Sequence, residues 1–267
     1  MNFRLPIARI VRAALIVLGL TMAGCGLLPE TKDETGNWSV ERIYETGREA
    51  TSEGNYLRAT KMFETLESRY PYGPYAQQAL LQLAYANYKL GEMSSAVSAA
   101  DRFIKLHPNH INVDYAYYVK GLANFNEDFG FLTFLASQDL SERDPKTLNE
   151  SYVAFRDLVA KFPESRYAGD SSARMKFLVN ALASGEVHVA RYYYNRGAYV
   201  AAASRAQSAM VTYPTAPIVE DALGIMVNAY DALNLKELRD DAKRVLEKNF
   251  PKSVYLTAQS KSWWKFW

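Results

Sequence analysis

Residues 54–71 read GNYLRATKMFETLESRYP, and the residues at the two ends and in the middle of this stretch recur along the chain. The closing words are LESRYP at Pro71, FIKLHP at Pro108, LVAKFP at Pro163, AMVTYP at Pro214 and LEKNFP at Pro251. Each proline follows an aromatic residue or His and has Leu, Phe or Ala five residues before it. Twelve residues before each proline stand Ala59, Ala96, Ser151, Ala202 and Arg239, and seventeen before stand Gly54, Gly91, Lys146, Gly197 and Asn234. A Gly or Asn accepts the left-handed conformation that closes a first helix. The small residue lets a second helix approach the first. The proline ends that second helix, because neither it nor the residue before it favours continuing. The spacing predicts a helix–turn–helix unit repeated five times.

The unit closely resembles the second half of a tetratricopeptide repeat. Gly47 falls where that repeat's first helix carries Gly, Ala84 and Ala190 are equivalent to it, and Tyr193 and Tyr230 match its tyrosine. The proline steps are 37, 55, 51 and 37 residues, against about 34 for the ideal repeat. Repeats three and four therefore carry insertions. One is Asn126–Lys146; the other is a long helical stretch near Asp170–Arg196, interrupted only by Gly185. The expected fold is all-α, a tetratricopeptide-like helical solenoid over residues 40–258 in which each repeat buries its apolar face against its neighbours. At 49% hydrophobic residues, the chain can fill such a continuous core.

The amino terminus carries a different signal. Residues 1–24 hold Arg4, Arg9 and Arg12 and no acid, and AALIVLGLT (13–21) is too short to span a bilayer, which needs about 20 apolar residues. Basic start, short apolar run and small residues make a secretory signal peptide over residues 1–24. Cys25 is the single cysteine of the chain, so no internal disulfide can form, and an exported free thiol would face an oxidising compartment. Met22-Ala23-Gly24-Cys25 resembles a bacterial lipobox, in which cleavage falls before the cysteine and its sulfur takes a lipid, palmitate among the acyl chains. The bland alternative is ordinary cleavage near Ala23, with Cys25 a bystander. Gly26, rather than an Asp that would resemble an inner-membrane retention signal, favours the outer membrane. Residues 25–39 then form the lipidated Cys and a polar tether.

Charge and motifs narrow the function. Removing the leader's three arginines takes the formal charge from +2 to −1, which argues against a nucleic-acid footprint. His107, His110 and Asp114 could be drawn as a metal site, but His107 occupies the pre-proline slot that other repeats fill with Tyr or Phe, so packing is the simpler role. No metal site is assigned. Glu127, Asp128, Asp139, Glu142 and Asp144 could support glycoside hydrolysis, against the plainer view that they are solvated charges and helix caps, with Asp144-Pro145 starting a helix. No Gly-rich phosphate loop and no Ser-His-Asp or Cys-His pair is readable. The chain is expected to be neither an enzyme nor cofactor-dependent.

Aromatic residues carry the binding signal. There are 19 tyrosines, more than a helical core requires. First-helix positions that face a tetratricopeptide groove are Tyr44, Arg48, Tyr85 and Tyr88, with Tyr115 and Tyr118 in repeat three. RYPYGPYAQQ (69–78) adds Tyr70, Tyr72 and Tyr75 at the turn between repeats one and two. Tyrosine offers a rigid apolar face and a hydroxyl, suited to an extended peptide; filling inter-repeat packing is the equal alternative. The tail at residues 259–267 ends SWWKFW, which could meet a membrane interface, a partner or the chain's own groove.

The lipobox, the degenerate repeats and four stretches (LESRYPYGPYAQQALLQLAYANYK, DRFIKLHPNHINVDYAYYVKGL, SERDPK and ARYYYNRGAYVAAASRAQ) together resemble the BamD (ComL) family, lipoproteins of the outer-membrane β-barrel assembly machine. The resemblance implies a non-enzymatic scaffold, lipid-anchored in the outer membrane of a Gram-negative bacterium and facing the periplasm, that helps recognise, fold and insert β-barrel proteins. It implies client recognition in the amino-terminal repeats, here the tyrosine groove and the RYPYG turn, through a signal ending in an aromatic residue. Arg48 would meet the client's terminal carboxylate. It further implies docking of BamA and BamC on the carboxy-terminal repeats, here around Arg196 and Arg205, with BamE as another subunit partner. Other roles for such a chain are a pilotin for a secretin or pilus, and a peptidoglycan-associated factor.

Overall fold

The computed structural model describes residues 34–125 and 144–256. The leader, Cys25, most of the tether, residues 126–143 of the insertion with their carboxylates, and the aromatic tail lie outside the described residues. From Val40 onward the chain forms one unit holding ten α-helices among the described residues. These are α1 (Val40–Ser52), α2 (Tyr56–Arg69), α3 (Pro74–Leu90), α4 (Met93–Leu106), α5 (Val113–Phe125), α6 (Pro145–Lys161), α7 (Ala168–Asn195), α8 (Tyr199–Thr212), α9 (Val219–Ala232) and α10 (Lys236–Asn249). They pack as five consecutive pairs, each helix against its neighbours in sequence.

The proline rhythm acts at every second helix. Tyr70, His107, Phe162, Tyr213 and Phe250 cap α2, α4, α6, α8 and α10, with φ between −128° and −132° and ψ between 55° and 65°. Each donates its backbone N–H to a carbonyl four residues back, on Leu66, Phe103, Leu158, Ala209 or Leu246. Those five residues are fully buried, so one position both anchors the second helix in the core and accepts its last hydrogen bond. These dihedrals lie outside the α-helical region, which a residue before proline avoids. Ala59, Ala96, Ser151 and Ala202 are also fully buried, and Ser151 donates its hydroxyl to the Gly121 carbonyl of α5. Burying Phe63, Phe103 and Phe155 completely contributes about 1.5–3 kcal/mol for each ring.

Turns inside the pairs follow the Gly/Asn slots in four of five repeats. Gly54, Gly91, Gly197 and Asn234 all have positive φ, at 76°, 87°, 76° and 58°. Lys146 does not: it lies in the first turn of α6, where Asp144 caps the helix by accepting from its N–H at 3.1 Å and Pro145 takes the first position. The insertion displaces the turn, so counting back from Pro163 lands on a helix start. Gly185 also departs from expectation. It lies inside α7, which runs unbroken for 28 residues. An interior Gly costs a helix about 1 kcal/mol, and the buried stripe of Leu178, Leu182, Val187 and Ala190 on either side of it outweighs that.

First and second helices are not equivalent. First helices of successive pairs touch, α1 with α3, α3 with α5 and α7 with α9, whereas second helices of successive pairs have no comparable contact. The first helices therefore pack side by side within repeats one to three and again within repeats four and five, and a slot opens between the second helices α2 and α4. No described helix is long and apolar enough to cross a membrane.

Candidate functional site

Four ring contacts link five tyrosines across repeats one to four. Tyr56, at the start of α2, meets Tyr85 of α3 edge-on at 6.3 Å. Tyr85 meets Tyr115 of α5 at 6.3 Å, and Tyr115 meets Tyr167 at 5.3 Å. Tyr167 then stacks on Tyr118 at 4.6 Å, with 20° between the planes. Ala84 and Ala86 flank Tyr85 and are fully buried, as is Ala116 beside Tyr115, while the two tyrosines are half-buried.

Cations and acids line the run. The Lys89 ammonium lies 5.9 Å from the Tyr56 ring and the Arg166 guanidinium 4.7 Å from the Tyr167 ring. Tyr118 donates its hydroxyl to Asp170 at 2.9 Å. The Tyr115 hydroxyl is pushed well above the ordinary phenol range, first by burial and then by its neighbours Tyr85 and Tyr167. Burial raises Tyr85 as well, with Tyr56 adding to it. These phenols stay protonated at neutral pH and can both donate and accept.

The expected groove residues divide into groups. Tyr85, Tyr115 and Tyr118 join the run. Tyr88 packs instead against the core cluster of Leu122, Leu148 and Phe155, which Tyr118 also touches. Tyr44 is buried, with Phe63 at 6.1 Å and Tyr75 at 5.4 Å, and Arg48 stands beside this pair, close enough to influence the Tyr44 hydroxyl. Arg48 is exposed and pairs at 3.4 Å with Glu45. In the RYPYG turn, Gly73 adopts φ 99° ahead of Pro74, and this presents Tyr72 at 90% exposure and Tyr70 at 37%.

Sequence reasoning missed Tyr56 and Tyr167. A signal for Tyr167 was available: it stands four residues after its proline, as Tyr75 and Tyr255 do after theirs. Tyr255 plays a structural part at that position, lying against Gly224 and donating its hydroxyl to Asp221.

At the expected docking surface, Arg196 caps α7 with its guanidinium 5.2 Å from the Tyr192 ring. Arg205 of α8 reaches back to Glu186 of α7 at 3.1 Å. Both arginines are exposed. His107 and His110 set their rings edge-on against Phe103, at 5.4 and 5.1 Å, which gives the histidines a packing role. Rigid ring faces edged by hydroxyls and cations suit an extended peptide with apolar side chains.

A model of the YfiO family, described as outer membrane lipoprotein, matches residues 37–246. The outer membrane protein assembly factor BamD of Neisseria meningitidis serogroup B is 48% identical over 94% of this chain and 97% of its own. The protein of the same name from Xylella fastidiosa (strain Temecula1) is 39% identical over 95% of this chain and 86% of its own. Among solved structures, a thermophilic TPR protein of Thermus thermophilus is similar at 16% identity and a TM-score of 0.39, over 82% of this chain and 95% of that one.

Proposed function

The chain belongs to the BamD (YfiO) family of outer membrane lipoproteins, and from that membership we propose that it is an assembly factor for outer-membrane β-barrel proteins. It works as a scaffold rather than an enzyme. Cys25 carries the lipid, the helical unit faces the periplasm, and clients are recognised through an extended carboxy-terminal segment that ends in an aromatic residue. BamA, BamC and BamE are its partners, with BamA and BamC docking on the α7–α8 face around Arg196 and Arg205.

The observation that supports client recognition is the run from Tyr56 to Tyr118. A strand of alternating apolar side chains has a period of about 6.6 Å, close to the 6.3 Å steps from Tyr56 to Tyr85 and from Tyr85 to Tyr115. Successive apolar side chains of a client can therefore meet successive ring faces, and a polar strand gains nothing there.

The deciding experiment measures the affinity of the chain from residue 26 onward for a porin's carboxy-terminal peptide, beside a control peptide lacking the terminal aromatic. Tighter binding of the intact peptide supports client recognition. Equal affinity for the two removes it.

A further inference from the structure

Between α2 and α4, on the layer of second helices, lies a cleft of about 350 Å³. It exists because these two helices splay while α1, α3 and α5 stay in contact, so the side of α3 becomes a floor. Leu83 and Asn87 of α3 form that floor, and Glu64 and Glu67 of α2 form one wall. The facing wall is Ser94, Ser95, Ser98 and Arg102 of α4. Arg102 bridges to both carboxylate oxygens of Glu67, at 2.5 and 3.1 Å, and this pair ties the two walls together.

Asn87 is the unusual member. It is only 5% exposed and lines the cleft, and its side-chain amide makes no hydrogen bond among the described residues, its polar atoms keeping their contact with the open cleft. An amide held in a nearly enclosed site offers a ligand one donor group and one acceptor. Glu64 and the three serines likewise make no side-chain hydrogen bond or ion pair among the described residues. A donor–acceptor amide, three hydroxyls and one free carboxylate therefore converge on the same small volume.

We infer that this cleft binds a short extended polypeptide segment bearing a basic side chain. The paired donor and acceptor of Asn87 match the N–H and C=O of a peptide unit. Ser94 and Ser98 lie one helical turn apart, about 6 Å along the axis, close to the roughly 6.6 Å between alternate residues of an extended chain. Leu83 supplies a small apolar contact, and Glu64 supplies the counter-charge for a Lys or Arg. The walls carry no aromatic ring on which a sugar could stack. The site is separate from the tyrosine run, and it recognises charge and backbone rather than aromatic side chains.

The test is ligand-observed saturation-transfer NMR on the full chain, with the capped hexapeptide Ser-Val-Lys-Val-Ser-Gly as probe. Binding is expected to weaken about tenfold or more when the probe's Lys is replaced by Glu, and to a similar degree in Glu64→Gln and Asn87→Ala. Asn87→Ala should leave the thermal midpoint nearly unchanged, because the amide makes no hydrogen bond among the described residues. Tyr115→Ala should leave binding of the hexapeptide intact. No saturation transfer, equal binding of the Lys and Glu probes, retained affinity in Asn87→Ala, loss in Tyr115→Ala, or binding of a chitin tetrasaccharide in place of the peptide would each overturn the inference. Failure here leaves the porin-peptide assay untouched, since that assay reports on the tyrosines.

Discussion

The ring of Tyr118 lies 4.6 Å from that of Tyr167, nearly parallel to it, so a tyrosine of α5 is held by the residue that precedes α7. Because Tyr118 also donates to Asp170, its orientation depends on the start of α7 at two points. Replacing Tyr167 with Ala should therefore weaken binding of a porin peptide even where Tyr167 itself makes no contact with it. A double-mutant cycle of Tyr118→Ala and Tyr167→Ala, read by urea unfolding, should return a coupling of about 0.5–1.5 kcal/mol. A coupling of zero would mean the two rings are independent.

Gly121 meets the ring of Phe155 so closely that an added Cβ would fall 2.5 Å from a ring carbon. The Phe155 ring is fully buried and cannot swing into solvent. Gly121→Ala should accordingly destabilise the chain by about 1–3 kcal/mol. Combining it with Phe155→Leu should cost less than the two single changes together, since the smaller side chain yields to the methyl. Urea midpoints of the three variants check this, and strict additivity would contradict it. Gly47 faces Phe63 in the same way, at 2.6 Å, so the same result is expected in the first repeat.

His107 fills the cap slot that Tyr or Phe holds in the other repeats. Its imidazole is held below the ordinary histidine range, first by partial burial and then by the nearby His110. The folded value therefore lies below the unfolded one, and near pH 6.5 and below the unfolded chain binds more protons. Stability should fall as pH drops through about 6.5, by a small amount because the ring is still partly solvated. His107→Phe should flatten that part of the pH profile, narrowing the difference in thermal midpoint between about pH 7.5 and 5.5. An unchanged slope would place the effect on other groups.

The second-helix endings were legible from sequence because they are local chemistry: a proline, a restricted residue before it and a buried anchor five residues back act within one turn. The positive-φ turns were legible for the same reason wherever Gly or Asn filled the slot. The scheme failed at Lys146, where an insertion shifts the count, and at Gly185, where packing overrides local preference. The ring run was only half legible. Tyr85, Tyr115 and Tyr118 followed from helix-face counting, but Tyr167 enters from a turn, and its partner depends on how α7 stacks on α5. Tyr44, expected in the groove, is buried instead, and Tyr88 leans on the core cluster that Tyr118 also touches. The polar cleft left no trace in sequence, since Asn87 stands out for its burial and not for its type.

Arg48 offers the sharpest separation of stability from recognition. Its ion pair with Glu45 spans 3.4 Å, and both side chains are 56% exposed, so the pair contributes little to folding, about 0–1 kcal/mol. Arg48→Ala should leave the urea midpoint nearly unchanged. Yet Arg48 stands beside the Tyr44–Tyr75 pair, where the terminal carboxylate of a client could meet its guanidinium. Loss of that charge-assisted contact should weaken a porin peptide by about tenfold, and added salt should weaken the unaltered chain more than the variant. An amidated peptide should bind both forms alike. Equal affinity of Arg48→Ala and the unaltered chain for the free-carboxylate peptide would assign the carboxylate to a different cation.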